Sequence, residues 1–301
     1  MVELIQQVLN AFQLGSVYAL IALGYTMVYG ILRLINFAHG DIFMVSTYVA
    51  FFIGTYLLLM RAMSAVASFL LTMFLSMVAT ATLAVLIERV AYRPLRQAPR
   101  VSAVITALGV GLFLENFTLA IMGAEPRKMP LFLTVTSLPL GKVALTNAQL
   151  IIIGVALVLM LLLDTVVMKT MTGMAMRAIS FDKNIALLMG VPVDKIISYT
   201  FAIGSAVAAA GGMLYGMAYP IIDPYMGIRI GWWAFIAAVV GGIGNVRGAM
   251  LGGFILGFIE IFTPVILPSS TYRDFVAFSV LLLFLVFRPT GILGKPEIQK
   301  V

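Results

Sequence analysis

The chain alternates between uncharged apolar runs, each about as long as a bilayer crossing, and short polar breaks. A crossing needs about 20 apolar residues. Leu4 to Leu32 carries no charge and holds the first run, and the polar break Asn36-Phe-Ala-His-Gly-Asp41 follows it. Ile42–Met60 and Ala62–Ile87 follow, then a loop from Glu88 to Arg100 with four arginines and two prolines. Val101–Met122 is a fourth run, broken by Glu115 and Asn116, and Gly123–Asn147 is the longest polar connection. Ala148–Met168, Ile196–Met217, a short Gly231–Gly244 segment, Gly248–Leu267 and Phe275–Phe287 complete the series. The pattern predicts an all-α polytopic membrane protein of eight or nine spans in one domain, residues 1–301. The polar breaks near 36–41 and 223–244 are candidates for re-entrant or broken segments.

One stretch does not fit a span. From Gly173 to Met189, Ala178, Phe181, Ile185 and Leu188 recur at helical spacing while Arg177, Ser180 and Asn184 fall on another face, which predicts an amphipathic helix. Gly190 and Pro192 then stop it, and Asp194 is placed to cap the next helix. Such an element within 169–195 either rests on lipid headgroups or is gripped by another protein.

Charge orients the whole. With nine spans and the N-terminus outside, 13 of the 19 Lys and Arg fall on one side: Arg33, Arg89, Arg93, Arg96, Arg100, Lys169, Arg177, Lys183, Lys195, Arg247, Arg288, Lys295 and Lys300. The positive-inside rule makes that side cytoplasmic, and it places 123–147 in the periplasm. A faint repeat adds that Phe12-Gln-Leu-Gly-Ser16 and Phe201-Ala-Ile-Gly-Ser205 are each followed by a polar break, Asn36–Asp41 and Asp223–Gly227. The two helices run in opposite directions, as inverted repeats do in many transporters, the plain alternative being a chance similarity between Gly/Ala-rich helices.

Composition removes several function classes. Hydrophobic residues make up 62% and charged residues 10%, with mean hydropathy +1.10, a balance foreign to soluble domains. The net charge of +7 sits between apolar runs, where it meets anionic lipid and not nucleic acid. With no cysteine and a single histidine, His39, there is no thiol chemistry and no His-based metal cluster. Neither Gly-Lys pair, Gly141-Lys142 or Gly294-Lys295, is followed by Ser or Thr, so no phosphate-binding loop is present and the chain does not bind ATP by that route.

The candidate chemistry is therefore that of a pathway. Asn36, His39 and Asp41 around the helix-breaking Gly40 predict a lining or inner gate, the plain alternative being a polar turn with Asp41 as N-cap. Glu115, Asn116 and Glu260 lie inside apolar helices, where an ionised group costs several kcal/mol unless paired or hydrated. They belong to the pathway or to hydrogen bonds with neighbouring helices. Gly248, Gly252, Gly253 and Gly257 form small-x-x-x-small steps suited to close helix packing. Trp232 and Trp233, at a span end, are expected to be interface anchors.

Six stretches carry a family resemblance. They are Leu14–Gly30, Ile35-Asn-Phe-Ala-His-Gly40, Glu88-Arg-Val-Ala-Tyr-Arg-Pro-Leu-Arg96, Gly173-Met-Ala-Met-Arg-Ala178 with Asp182 and Met189-Gly190, Val240–Gly244, and Pro289–Glu297. Over essentially its full length the chain resembles the LivH-type permease subunits of bacterial branched-chain amino acid ABC importers. The resemblance implies a multi-pass protein of the bacterial inner membrane that passes leucine, isoleucine and valine. It implies as partners a LivM-type second permease, two cytoplasmic ATPase subunits that bind the ATP and magnesium, and a periplasmic binding protein. It also implies that Gly173–Gly190 is the helix that docks into an ATPase, with Gly173, Arg177, Ala178, Asp182, Asn184 and Gly190 in the coupling surface. No substrate bond is broken, so a transport subunit and not an enzyme is expected. The rival readings are a sister importer for urea or short amides and an ion-coupled secondary transporter.

Overall fold

The computed structural model describes residues 2–60, 63–96, 98–133, 136–140, 143–267 and 269–294; Lys295 and Lys300, counted above as cytoplasmic charges, lie outside them. The chain forms α1 (Val2–Leu32), α2 (His39–Met60), α3 (Ala65–Ile87), α4 (Arg100–Met122), α5 (Asn147–Lys169), α6 (Met171–Phe181), α7 (Lys183–Leu188), α8 (Val193–Ala218), α9 (Met226–Gly241), α10 (Val246–Ile266) and α11 (Tyr272–Phe287). Seven of the described helices are long and apolar enough to cross a membrane: α1 to α5, α8 and α10. The helices α9 and α11, of 16 residues each, are shorter than a full crossing. Between α4 and α5 lie β1 (Arg127–Lys128), which pairs with β4 (Ile221–Ile222), and the hairpin of β2 (Ser137–Leu140) with β3 (Val143–Thr146).

Packing follows an inverted repeat of two four-helix units, α1–α4 and α8–α11. The helices α1 and α8 cross as antiparallel neighbours: Gly24 faces Gly204, and Gly211 faces Val17 and Leu20. Each contact has a counterpart. The helix α3 lies on α8 as α10 lies on α1, α2 lies on α8 as α9 lies on α1, and α4 covers α2 as α11 covers α9. The core sits along the α1–α8 crossing, where Leu20, Ile21, Leu23, Phe201 and Met213 are fully buried. Small residues permit the approach. Gly253 and Gly257 meet the backbone of Ala19 and Gly15 on α1, while Gly248 and Gly252 meet Gly241 and Ala237 on α9. Outward faces of α4 and α5, with Ile105, Phe113, Phe117, Leu161 and Leu162 exposed, are apolar as a lipid-facing surface requires.

One end of the bundle carries the basic loops. The helix α3 continues through a π-helical turn, Glu88–Tyr92, into a 3-10 turn, Arg93–Leu95. There Arg93 and Arg96 both pair with Asp194 on α8, and Arg96 also pairs with Glu88. Asp194 therefore ties the first turn of α8 to the turn that follows α3 and does not cap α8, whose N-cap is Pro192. At the same end Arg33 donates to Ser180 O at 3.2 Å, and Arg247 pairs with Asp164 at 3.1 Å.

Candidate functional site

Two helices begin inside the bundle. His39, the first residue of α2, is fully buried against Gly24 of α1, eight residues before α1 ends and so about 12 Å in from its end. Residues 33–38 must turn back into the protein to reach that point. The start of α9 comes to the same depth from the opposite side: a Cβ on Gly231 would lie 2.9 Å from Gly40 Cα, and one on Gly227 would lie 2.9 Å from Gly40 O. The polar breaks that precede α2 and α9 thus deliver two helix N-termini to one place, tip beside tip. Only glycine allows this, because any side chain at 40, 227 or 231 would meet backbone.

A cavity of about 140 Å³ opens beside the junction, among α2, α4 and α9. Asp41 and Glu115 line it together with Tyr25, Phe37, Trp232 and Phe235. Both acids are buried, at 6% and 8% exposure. Asp41 Oδ1 and Glu115 Oε2 have no hydrogen-bond partner among the described residues. Gly111, one turn before Glu115 on α4, lets that helix close over Asp41.

The other predicted pathway residues are distributed differently. Asn36 is buried and accepts a 2.5 Å hydrogen bond from the Tyr92 hydroxyl, which ties the break to the π-helical end of α3. His39 is wedged between Gly24 and the Tyr25 ring, edge-on at 4.8 Å. Both support the junction from behind. Asn116 is exposed and donates to Leu112 O on its own helix at 2.8 Å; it faces away from the cavity and is not brought to it. Glu260 lies elsewhere, accepting from the Tyr18 hydroxyl. Tyr18 stacks on Trp233 at 5.9 Å, and Trp233 Nε1 donates to Asp274 at 3.0 Å. Trp233, 5% exposed, is therefore a buried hydrogen-bonding residue and not an interface anchor, whereas Trp232 is 41% exposed and also lines the cavity. Sequence reading also missed Tyr25, Phe37 and Phe235, ordinary apolar positions until the fold brings them together.

The sequence profile of the family described as "Branched-chain amino acid transport system / permease component" matches residues 7–285. The chain belongs to that family. It is 41% identical over 302 residues to the high-affinity branched-chain amino acid transport system permease protein BraD of Pseudomonas aeruginosa, covering 99% of this chain and 98% of that one. It is 41% identical over 301 residues to LivH of Escherichia coli K12, covering 99% and 97%. A probable LivM permease of Methanocaldococcus jannaschii is 26% identical over 144 residues, 44% of this chain and 42% of that one. Membership makes this chain a transport permease subunit and not an enzyme.

For a permease the amphipathic stretch matters most, and the structure corrects its shape. It is two helices, α6 and α7, broken at Asp182, whose backbone is extended (φ −155°, ψ 112°) and whose carboxylate accepts from the amides of Asn184 and Ile185. Asp182 acts as the N-cap of α7. Gly173, Met176, Ile179 and Ala186 face the bundle, and Gly173 packs against Val166 and Val167 of α5. Arg177 reaches back to the Val167 carbonyl, so it braces α6 on α5. Ala178, Phe181, Asn184, Ile185 and Leu188 are exposed, the last at 86%. Gly190, at φ +81°, makes the turn into α8.

Proposed function

We propose that this chain is the LivH-type subunit of a binding-protein-dependent ABC importer for leucine, isoleucine and valine in the inner membrane of a bacterium. It would form the translocation pathway with a LivM-type second permease. Two cytoplasmic ATPase subunits, which bind ATP and magnesium, would drive it, and a periplasmic binding protein would deliver substrate. The observation that carries the reading is the apolar ridge of Ala178, Phe181, Ile185 and Leu188, which projects from the basic end of the bundle. Large apolar side chains exposed together mark an interaction surface. The family relation directs it toward an ATPase in preference to lipid. Because α6 is braced on α5 through Gly173 and Arg177, a push on the ridge passes into the transmembrane helices. The break at Asp182 makes the lever two short helices in place of one. The cavity at the junction of α2 and α9 lies on the pathway in this reading, and the amino acid passes it as access alternates.

The test is uptake into proteoliposomes holding this chain with its neighbouring permease and ATPases, using labelled leucine and urea, with and without internal ATP and binding protein. Leucine uptake that needs both ATP and binding protein is the expected result. Urea uptake under the same requirements would replace the substrate, and uptake indifferent to ATP would remove the ATPase from the account. The docking surface has a separate check, helped by the cysteine-free background. A single cysteine at position 178 or 184 is expected to cross-link to the ATPase in the assembled complex. Labelling by lipid-phase reagents without any cross-link would put the ridge on the membrane instead.

A further inference from the structure

Resting on the permease reading, we infer that the cavity between α2, α4 and α9 binds the ammonium group of a primary amine bearing a short alkyl chain, with Asp41 and Glu115 as its charged ligands. Two buried carboxylates share one small cavity, each with an oxygen unpartnered among the described residues. A buried carboxylate oxygen without a donor is costly, and a ligand that brings N–H donors and positive charge removes the cost. An ammonium offers three donors in a compact group. No Lys or Arg lines the cavity, so no side chain in its wall supplies that charge.

The two acids are not equivalent. Asp41 sits in the first turn of α2, and its Oδ1 faces Gly227 in the first turn of α9. Two helix N-termini therefore offset its charge. Glu115 lies mid-helix on α4 and has no such support, so it is the stronger attractor for the ammonium. The walls add two terms. Tyr25, Phe37, Trp232 and Phe235 line the cavity with aromatic surface, which attracts a cation where a ring face is presented, and Leu108, Leu112 and Ile228 give an alkyl chain apolar contact. Urea and short amides bring N–H donors but no positive charge. The site thus distinguishes an amine from an amide, a choice that the family resemblance alone left open.

Saturation-transfer NMR on the purified complete complex, with 3-methylbutylammonium, 4-methylpentanoate and urea as probes, tests this without relying on transport. The amine is expected to show saturation transfer, whereas the carboxylate and urea, at the same concentration, are not. Glu115→Gln is expected to weaken amine binding roughly ten- to a hundredfold, in line with the loss of a charged hydrogen bond. Glu115→Asp keeps the charge and should retain more of the binding than Glu115→Gln, and Asn116→Ala, on the outer face of the same helix, should bind as the wild type does. Equal signals from the amine and the carboxylate in the wild-type complex would overturn the inference, and that comparison needs no variant to fold. Binding unchanged in Glu115→Gln would also overturn it. The two readings fail separately. Amine binding in a complex that does not take up leucine keeps the site and discards the transported substrate, whereas leucine uptake with no amine binding does the reverse.

Discussion

Valine in place of Gly40 is expected to abolish uptake and to lower the thermal stability of the complex by several degrees. A Cβ at position 40 would fall on the Gly227 carbonyl and within 2.8 Å of Gly231 Cα. These are backbone atoms of α9, and no rotamer change relieves the clash. The helices must separate where the cavity lies. Overpacking of this kind costs about 1–3 kcal/mol, more than the few tenths to one kcal/mol that valine returns over glycine in helix propensity. The control is Gly109→Val on α4, where a Cβ has nothing within 4 Å and propensity alone should act. Fluorescence-detected size exclusion after heating, together with uptake, measures both consequences. A Gly40→Val complex with normal melting and normal uptake would mean that α2 and α9 do not meet backbone to backbone.

That contact was half visible in the sequence. The two polar breaks, Asn36–Asp41 and Asp223–Gly227, stand out because polar residues with a glycine interrupt apolar runs, and non-helical backbone needs protein around it at that depth. Which break meets which depends on the α1–α8 crossing, and that crossing is set by tertiary packing of residues far apart in the chain. The helix α9 starts at Met226, five residues before the uncharged run Gly231–Gly244, because a charged residue, Arg229, lies within its first turns. In the fold Arg229 projects outward and pairs with Asp223 at 3.5 Å. The break at Asp182 left a local signal, an Asp followed by an apolar helical run, but the apolar spacing continued across it. Asp194 differs for another reason: an Asp just after Gly190 and Pro192 reads as the cap of the next helix, and Arg93 and Arg96 reach it only through the fold.

Glu88→Ala is expected to be the most destabilising change at the basic end, by about 3 kcal/mol, because it deletes two charged hydrogen bonds at once, leaves the Ser198 hydroxyl without its acceptor and leaves Arg96 only the half-exposed Asp194 as a partner. Glu88 is fully buried, and the side chain of Arg96 is 10% exposed. The carboxylate is held from two sides, by Arg96 and by the Ser198 hydroxyl, which donates to Oε2 at 2.6 Å. Ser198 lies on α8, and Arg96 also reaches Asp194 on the same helix. One acid thereby pins the end of α3 to the start of α8, two residues of which follow directly from the turn that ends α7. Removing Ser198 alone deletes one hydrogen bond and should cost about 1–2 kcal/mol. Removing the pair together, Glu88→Gln with Arg96→Gln, should cost less than Glu88→Ala, since no buried charge then lacks its buried partner. Melting temperatures of the four complexes give this order directly. If the double variant were instead the least stable, the ion pair would be contributing net attraction beyond its desolvation cost, and the junction would have to be read as a strut that carries force from the ATPase ridge into α3 and α8. With the expected order it works as a lock: α3 and α8 are fixed to one another at the basic end, so that motion imposed on α6 and α7 is passed on as a movement of the helix pair and not lost in sliding between its members.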